Sequence, residues 1–156
     1  VLDLVSKNLV CDSVTLDVGY DRENVDKGSY SGTTVVDHYG RLIPKAAHGT
    51  TRFDHPTSST FVIMDEVVKL YDRIVNSDLT VRRITISANN VVDEANVTTQ
   101  LSFFTDYDAL EKEKKLQKAM LSIKGKYGSN AILKGMNLME GGTTMERNNQ
   151  IGGHKA

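Results

Sequence analysis

The sequence predicts an α+β domain in which helices pack on one face of an antiparallel sheet, followed by a helical C-terminal extension. Three observations carry that reading. "SVTLDVGYD" (residues 13–21) alternates apolar and polar side chains with the period of two that marks a half-buried strand. "TFVIMDEVVKLYDRIV" (60–75) repeats its apolar residues with the period of a helix. "LTVRRITISANNVV" (79–92) is dense in β-branched residues, which fit a pleated surface. The order helix, strand, strand, helix, strand over residues 1–92 puts helices on one side of the sheet and leaves the other side open.

Each element follows from its local pattern. In "VLDLVSKNLV", Val1, Leu4, Val5 and Leu9 keep helical spacing, so the chain opens in the last turns of an amphipathic helix, as a segment of something longer would. Val14, Leu16, Val18 and Tyr20 then share one face of the first strand, with Thr15, Asp17 and Gly19 on the other. Residues 24–47 are rich in Gly and Ser and carry a turn signal at Tyr39-Gly40, which predicts a long, partly flexible hairpin. "AHGTTRF" follows as a short strand. "HPTSST" starts the next helix, with Thr57, Ser58 or Ser59 as its N-cap. Met64, Val67, Val68, Tyr71, Ile74 and Val75 form the predicted buried face of that helix, opposite Asp65, Glu66, Lys69, Asp72 and Arg73. Residues 93–106 read as a linker. From 107 to 156 the sequence predicts a Lys-rich helix with an apolar stripe of Leu116, Met120, Ile123 and Tyr127, capped by Gly128. A short strand in "NAILKGMNL" and a polar tail complete the chain.

Composition narrows the function. With 156 residues, 39% hydrophobic and 25% charged, the chain supports one domain with a modest core. The single Cys11 excludes an internal disulfide and a cysteine-based zinc site. No apolar run approaches the ~20 residues that span a bilayer, so no membrane partner is expected and a cytoplasmic location is. The net charge of −1 conceals an asymmetry: 10 basic against 15 acidic residues up to position 106, then 9 against 5 beyond it. A basic C-terminal third is compatible with phosphate contact, although on charge alone a solvated charged face is the better explanation.

No catalytic constellation is visible. His38, His48, His55 and His154 have no metal-ligand spacing, no glycine-rich loop precedes a helix, and no cofactor is expected in this segment. The open sheet face is the better candidate. Arg83, Thr85 and Ser87 alternate against Ile84 and Ile86, Thr15 and Asp17 point away from the core, and "HGTTRF" offers His48, Thr50, Thr51 and Arg52. Guanidinium and hydroxyl groups on a flat surface suit phosphate oxygens, contacts that position a duplex without reading it. An ordinary solvent-facing sheet has the same composition.

At this point the residues resemble a known family. "LYDRIVNSDLTVRRITISANNV" is similar to the last helix and strand of the little-finger domain of Y-family (DinB/UmuC-like) translesion DNA polymerases, and "SVTLDVGYD" and "HGTTRF" followed by "PTSST" match that domain's middle strands and helix start in order. "QLSFF" resembles the bacterial sliding-clamp-binding pentapeptide, with Phe103 where Leu is usual. "LQKAMLSIKGKYGSNAILKG" and the tail resemble the extra C-terminal region of the UmuC-like branch.

The resemblance implies a DNA-binding surface of Arg83, Thr85, Ser87, Arg52, Thr50, Thr51 and Thr15. Arg82 joins it only if a bulge re-aims it or it sits at the sheet edge. It implies a clamp-binding peptide of Gln100, Leu101, Ser102, Phe103 and Phe104, with template-primer DNA and the sliding clamp as partners. In that family the magnesium-binding carboxylates lie in an upstream palm domain, which nothing here matches, so catalysis would belong to the parent polymerase. A complete little finger has one more strand at its start, so the resemblance also implies that the first strand is lacking here. A non-catalytic clamp-binding adaptor and a small nucleic-acid-binding module unrelated to replication are the alternatives.

Overall fold

In the computed structural model, residues 1–28, 30–97 and 106–150 are described. The longest strand, β1 (Leu9–Tyr20), runs through the centre of the sheet. Antiparallel to it lie β4 (Ala47–Thr57) on one side and β5 (Val81–Asn89) on the other. The short β6 (Val92–Asp93) pairs with the start of β1 at Leu9 and Val10. Over one face lie α1 (Leu2–Ser6) and α3 (Thr60–Ile74). The α+β class and the order of the main elements are those predicted. The excursion between β1 and β4 is more ordered than predicted. It holds a one-turn α2 (Glu23–Asp26) and a hairpin of β2 (Thr34–Val36) and β3 (Leu42–Pro44).

Alternation along β1 builds the core. Val14, Leu16, Val18 and Tyr20 are all buried, and α3 lies over them with Ile63, Val67 and Leu70. Burial of each such side chain contributes ~1.5–3 kcal/mol. Gly49 on β4 faces Leu16 and lets the helix approach closely: a Cβ there would sit 2.9 Å from Leu70 Cδ1. Ser59 is the N-cap, its hydroxyl accepting from the Val62 amide at 3.2 Å.

The buried stripe of α3 departs from the predicted one. Ile63, Val67 and Leu70 face the sheet and Tyr71, Ile74 and Val75 pack beside them, whereas Met64 and Val68 are half exposed. The helix is rotated toward β4, where Glu66 accepts a hydrogen bond from Thr51 Oγ1 at 3.0 Å. That rotation carries Met64 and Val68 to the opposite flank. It also leaves the helix side of β5 uncovered: Ile84 and Ile86 pair with Val18 and Leu16, yet remain 54% and 50% exposed.

Two predictions for the C-terminal part are also corrected. Residues 130–138, "NAILKGMNL", form no strand and end in a 3-10 turn at Gly135–Leu138, and the tail contains a short helix α5 (Thr144–Asn148). The helix α4 (Tyr107–Tyr127) exists, capped by Asp106 and ended by Gly128 in a positive-φ conformation. However, its inward face is polar. Glu113 and Gln117 are buried, while Leu116, Ile123 and Tyr127 are exposed. The reason is the start of α3, whose first amides lack intrahelical acceptors. Glu113 accepts from Ser59 Oγ (2.5 Å) and from the amides of Thr60 (2.6 Å) and Phe61 (3.3 Å). Gln117 Nε2 donates to the Ser58 carbonyl (3.2 Å) and Thr60 Oγ1 (3.0 Å). Part of the predicted linker is structured as well: after β6, Glu94–Asn96 form a 3-10 turn whose Glu94 pairs with Lys114 of α4.

Candidate nucleic-acid interface

Directly paired residues of antiparallel strands project to the same side, so the ladder registers assemble the open face in rows. Arg52, Ser13 and Asn89 make the first row, Thr50, Thr15 and Ser87 the second, and His48, Asp17 and Thr85 the third. Gly19 and Arg83 continue it toward the end of β1. Hydrogen bonds tie the rows together. Thr15 Oγ1 lies 2.8 Å from Thr50 Oγ1 and accepts from Asn89 Nδ2 at 2.9 Å. His48 Nδ1 stands 2.6 Å from Asp17 Oδ1, so the acid in the middle of the face is matched by an imidazole.

Seven of the eight residues predicted for this surface are accounted for by the ladder. Arg83, Thr85, Ser87, Arg52, Thr50 and Thr15 share the open face. Arg82 sits where the register shifts: Gly19 pairs with Arg83 and Tyr20 with Val81, so Arg82 is the extra residue of a β-bulge. Thr51 is the exception. It pairs with Val14 on the helix side and donates to Glu66, because adjacent strand residues cannot share a face. Gln100, Leu101, Ser102, Phe103 and Phe104 lie outside the described residues.

Arg52, Arg82 and Arg83 form no ion pair among the described residues, whereas most other arginines and lysines of the domain are held by an acid three or four positions away. Asp12, beside the first row, is held below the usual carboxylate range by hydrogen bonds from Ser13 and then Asn90. Two adjoining depressions mark the end of the sheet. One, of about 340 Å³, is lined by Asp17, Gly19, Ala46, Arg83 and Thr85. The other, of about 280 Å³, brings Gly19, Arg82 and Arg83 together with Asp37, Arg41 and Ile43 of the β2–β3 hairpin. Arg41 was not predicted for the site. The signal was present in "DHYGR", where Asp37 and Arg41 stand four apart across a Gly turn. No three His, Cys, Asp or Glu side chains converge as a metal ligand set among the described residues, and no helix there is long and apolar enough to cross a membrane.

A flat, polar, partly cationic sheet face opposite a helix layer is the arrangement implied by the sequence resemblance. Comparison with known proteins decides the family. Residues 2–103 match the impB/mucB/samB family C-terminal domain. The chain belongs to that family. Its membership bears out the resemblance to the C-terminal part of Y-family polymerases. A Bacillus subtilis (strain 168) protein, UvrX, whose name assigns it to UV-damage repair, is 31% identical over 149 residues, which is 96% of this chain and 30% of that protein. The chain therefore spans less than a third of that protein's length. No solved structure matches it.

Proposed function

We propose that this chain is the part of a Y-family DNA polymerase that holds template-primer DNA during translesion synthesis and tethers the enzyme to the sliding clamp. The supporting observation is the open face: Arg52 and Arg83, with Arg82 at the adjoining bulge, form no ion pair among the described residues and are set among hydroxyl side chains, on a sheet whose other side carries α1 and α3 over β1 and β4. Such groups bind phosphates of any sequence, which suits an enzyme that must hold damaged template. Phosphoryl transfer with its magnesium ions belongs to a palm domain outside this chain. The tether is the "QLSFF" segment, whose Gln100 would hydrogen-bond at the rim of a pocket on the clamp while Leu101, Phe103 and Phe104 would bury apolar surface within it. Each contributes ~1.5–3 kcal/mol before the ordering of the peptide is subtracted.

Titrating fluorescent duplex DNA at several salt concentrations tests the first half. Affinity should fall steeply with salt, and Arg83→Ala should reduce the slope of log K against log[salt] by about 1. A salt-independent affinity, or a slope unchanged in both Arg83→Ala and Arg52→Ala, would sink the proposal. The second half is tested on a bacterial sliding clamp with a Leu101→Ala, Phe103→Ala, Phe104→Ala variant, which should lose binding while its circular dichroism stays that of the wild type. Equal binding by both proteins would remove the tether.

A further inference from the structure

The β2–β3 hairpin is built to present one aromatic ring. Its tip, residues 37–41, is locked by Asp37: Oδ1 accepts from the amides of Tyr39 (2.8 Å) and Arg41 (3.0 Å), and Oδ2 from Arg41 Nε (2.8 Å). Gly40 takes the positive φ that the turn requires, and Pro44 anchors the base of the hairpin in the fully buried interior. On this fixed tip Tyr39 is 77% exposed. The Arg41 guanidinium lies 4.8 Å from its ring centroid, covering one face, and the His38 ring meets it edge-on at 5.4 Å. The remaining face of the ring is open. Folding alone does not account for this, since a large exposed ring contributes little to the core and holding it on a rigid turn has an entropic cost.

The hairpin is continuous with the candidate interface. Arg41 and Ile43 line the same depression as Arg82 and Arg83. Because Asp37 neutralises Arg41, the depression keeps the positive charge of the two sheet arginines. A strand whose phosphates rest on Arg82 and Arg83 therefore passes the hairpin.

We propose that the tip is a second DNA contact: Tyr39 stacks on an unpaired base of the strand whose backbone Arg82 and Arg83 hold, with Arg41 backing the ring. This rests on the proposal that the sheet face binds DNA. Stacking is tolerant of base identity, because every base has a π-face, and it discriminates single-stranded from fully paired DNA.

The test compares a blunt duplex with the same duplex carrying a single-stranded 5′ overhang, using wild type, Tyr39→Ala, Tyr39→Phe and Arg83→Ala. Wild type should prefer the overhang, and Tyr39→Ala should lose about 5- to 100-fold on the overhang substrate alone. Tyr39→Phe should keep the preference, since the ring and not the hydroxyl makes the contact. Arg83→Ala should weaken both substrates together. If Tyr39→Ala binds both as wild type does while Arg83→Ala weakens both, the hairpin inference is wrong and the sheet reading stands. If neither substitution matters, both are wrong. An unchanged thermal midpoint for Tyr39→Ala, expected of an exposed residue, excludes unfolding as the cause.

Discussion

Helix α3 is held in two places by opposite chemistry. Along its length Ile63, Val67 and Leu70 rest on β1 and β4 through apolar contact that has no preferred direction. At its N-terminus Ser59, Glu113 and Gln117 form a buried network in which every donor has a named acceptor. The first contact spreads its energy over many atoms and degrades gradually when one is removed. The second behaves as a unit, because removing one acceptor strands several donors that are buried or partly buried. Strand order and helix packing thus depend on volume, while the attachment of α4 depends on geometry.

Substitutions separate the two. Leu70→Ala should have the largest effect, lowering stability by ~2–5 kcal/mol, since the side chain is 1% exposed and Gly49 leaves no Cβ to fill the space. Urea denaturation should show a lower midpoint with an unchanged m-value, and a midpoint within error of wild type would mean that α3 is not seated as described. Glu113→Ala should cost less overall, ~1–3 kcal/mol, but its effect should be local. Amides of Thr60 and Phe61 and the whole of α4 should exchange hydrogen faster, while those of β1 keep their protection. Uniform acceleration across the sheet would show that the junction is not a separate unit. The smallest effect concerns the hairpin tip. Hydrogen bonds from the Arg41 side chain, then from its backbone amide, hold the Asp37 carboxyl at a pKa of about 2, below its ordinary value. Its contribution is therefore present above the usual carboxylate range and is lost as pH falls from there through about 2. In an NMR titration the Tyr39 and Arg41 amide signals should move in that window with no change in the core, and signals that move only near the usual Asp value would contradict the lock.

The same contrast explains what the sequence disclosed. Volume-based features were legible: the alternation of β1 and the β-branched run of β5 announce themselves within ten residues, and the helix start was narrowed to Thr57, Ser58 or Ser59, of which the structure selects Ser59. The rotation of α3 was not, because apolar residues cover more of its circumference than one sheet contact can bury. Phe61, Met64 and Val68 are all exposed, so periodicity alone could not choose the buried stripe. The polar inside of α4 was hidden for a different reason. Glu113 and Gln117 read as solvated until the unsatisfied amides of a helix more than fifty residues away are placed beside them. At the candidate interface, alternation placed six residues correctly but could not decide between Thr50 and Thr51 without the register, and it left Arg82 ambiguous. Ordered structure at 34–44 was masked by a composition suited to a loop.

The bulge at Arg82 has a consequence for insertions and deletions in this strand. A deleted residue in a regular ladder would flip every side chain beyond it to the other face, yet here β5 holds one residue more than β1 opposes. Removing either member of the Arg82-Arg83 pair yields the same shortened chain, in which the surviving arginine opposes Gly19 and Val81 still opposes Tyr20. The strand can thus gain or lose one positive charge at the end of its open face while Ile84, Ile86 and everything after them keep their places.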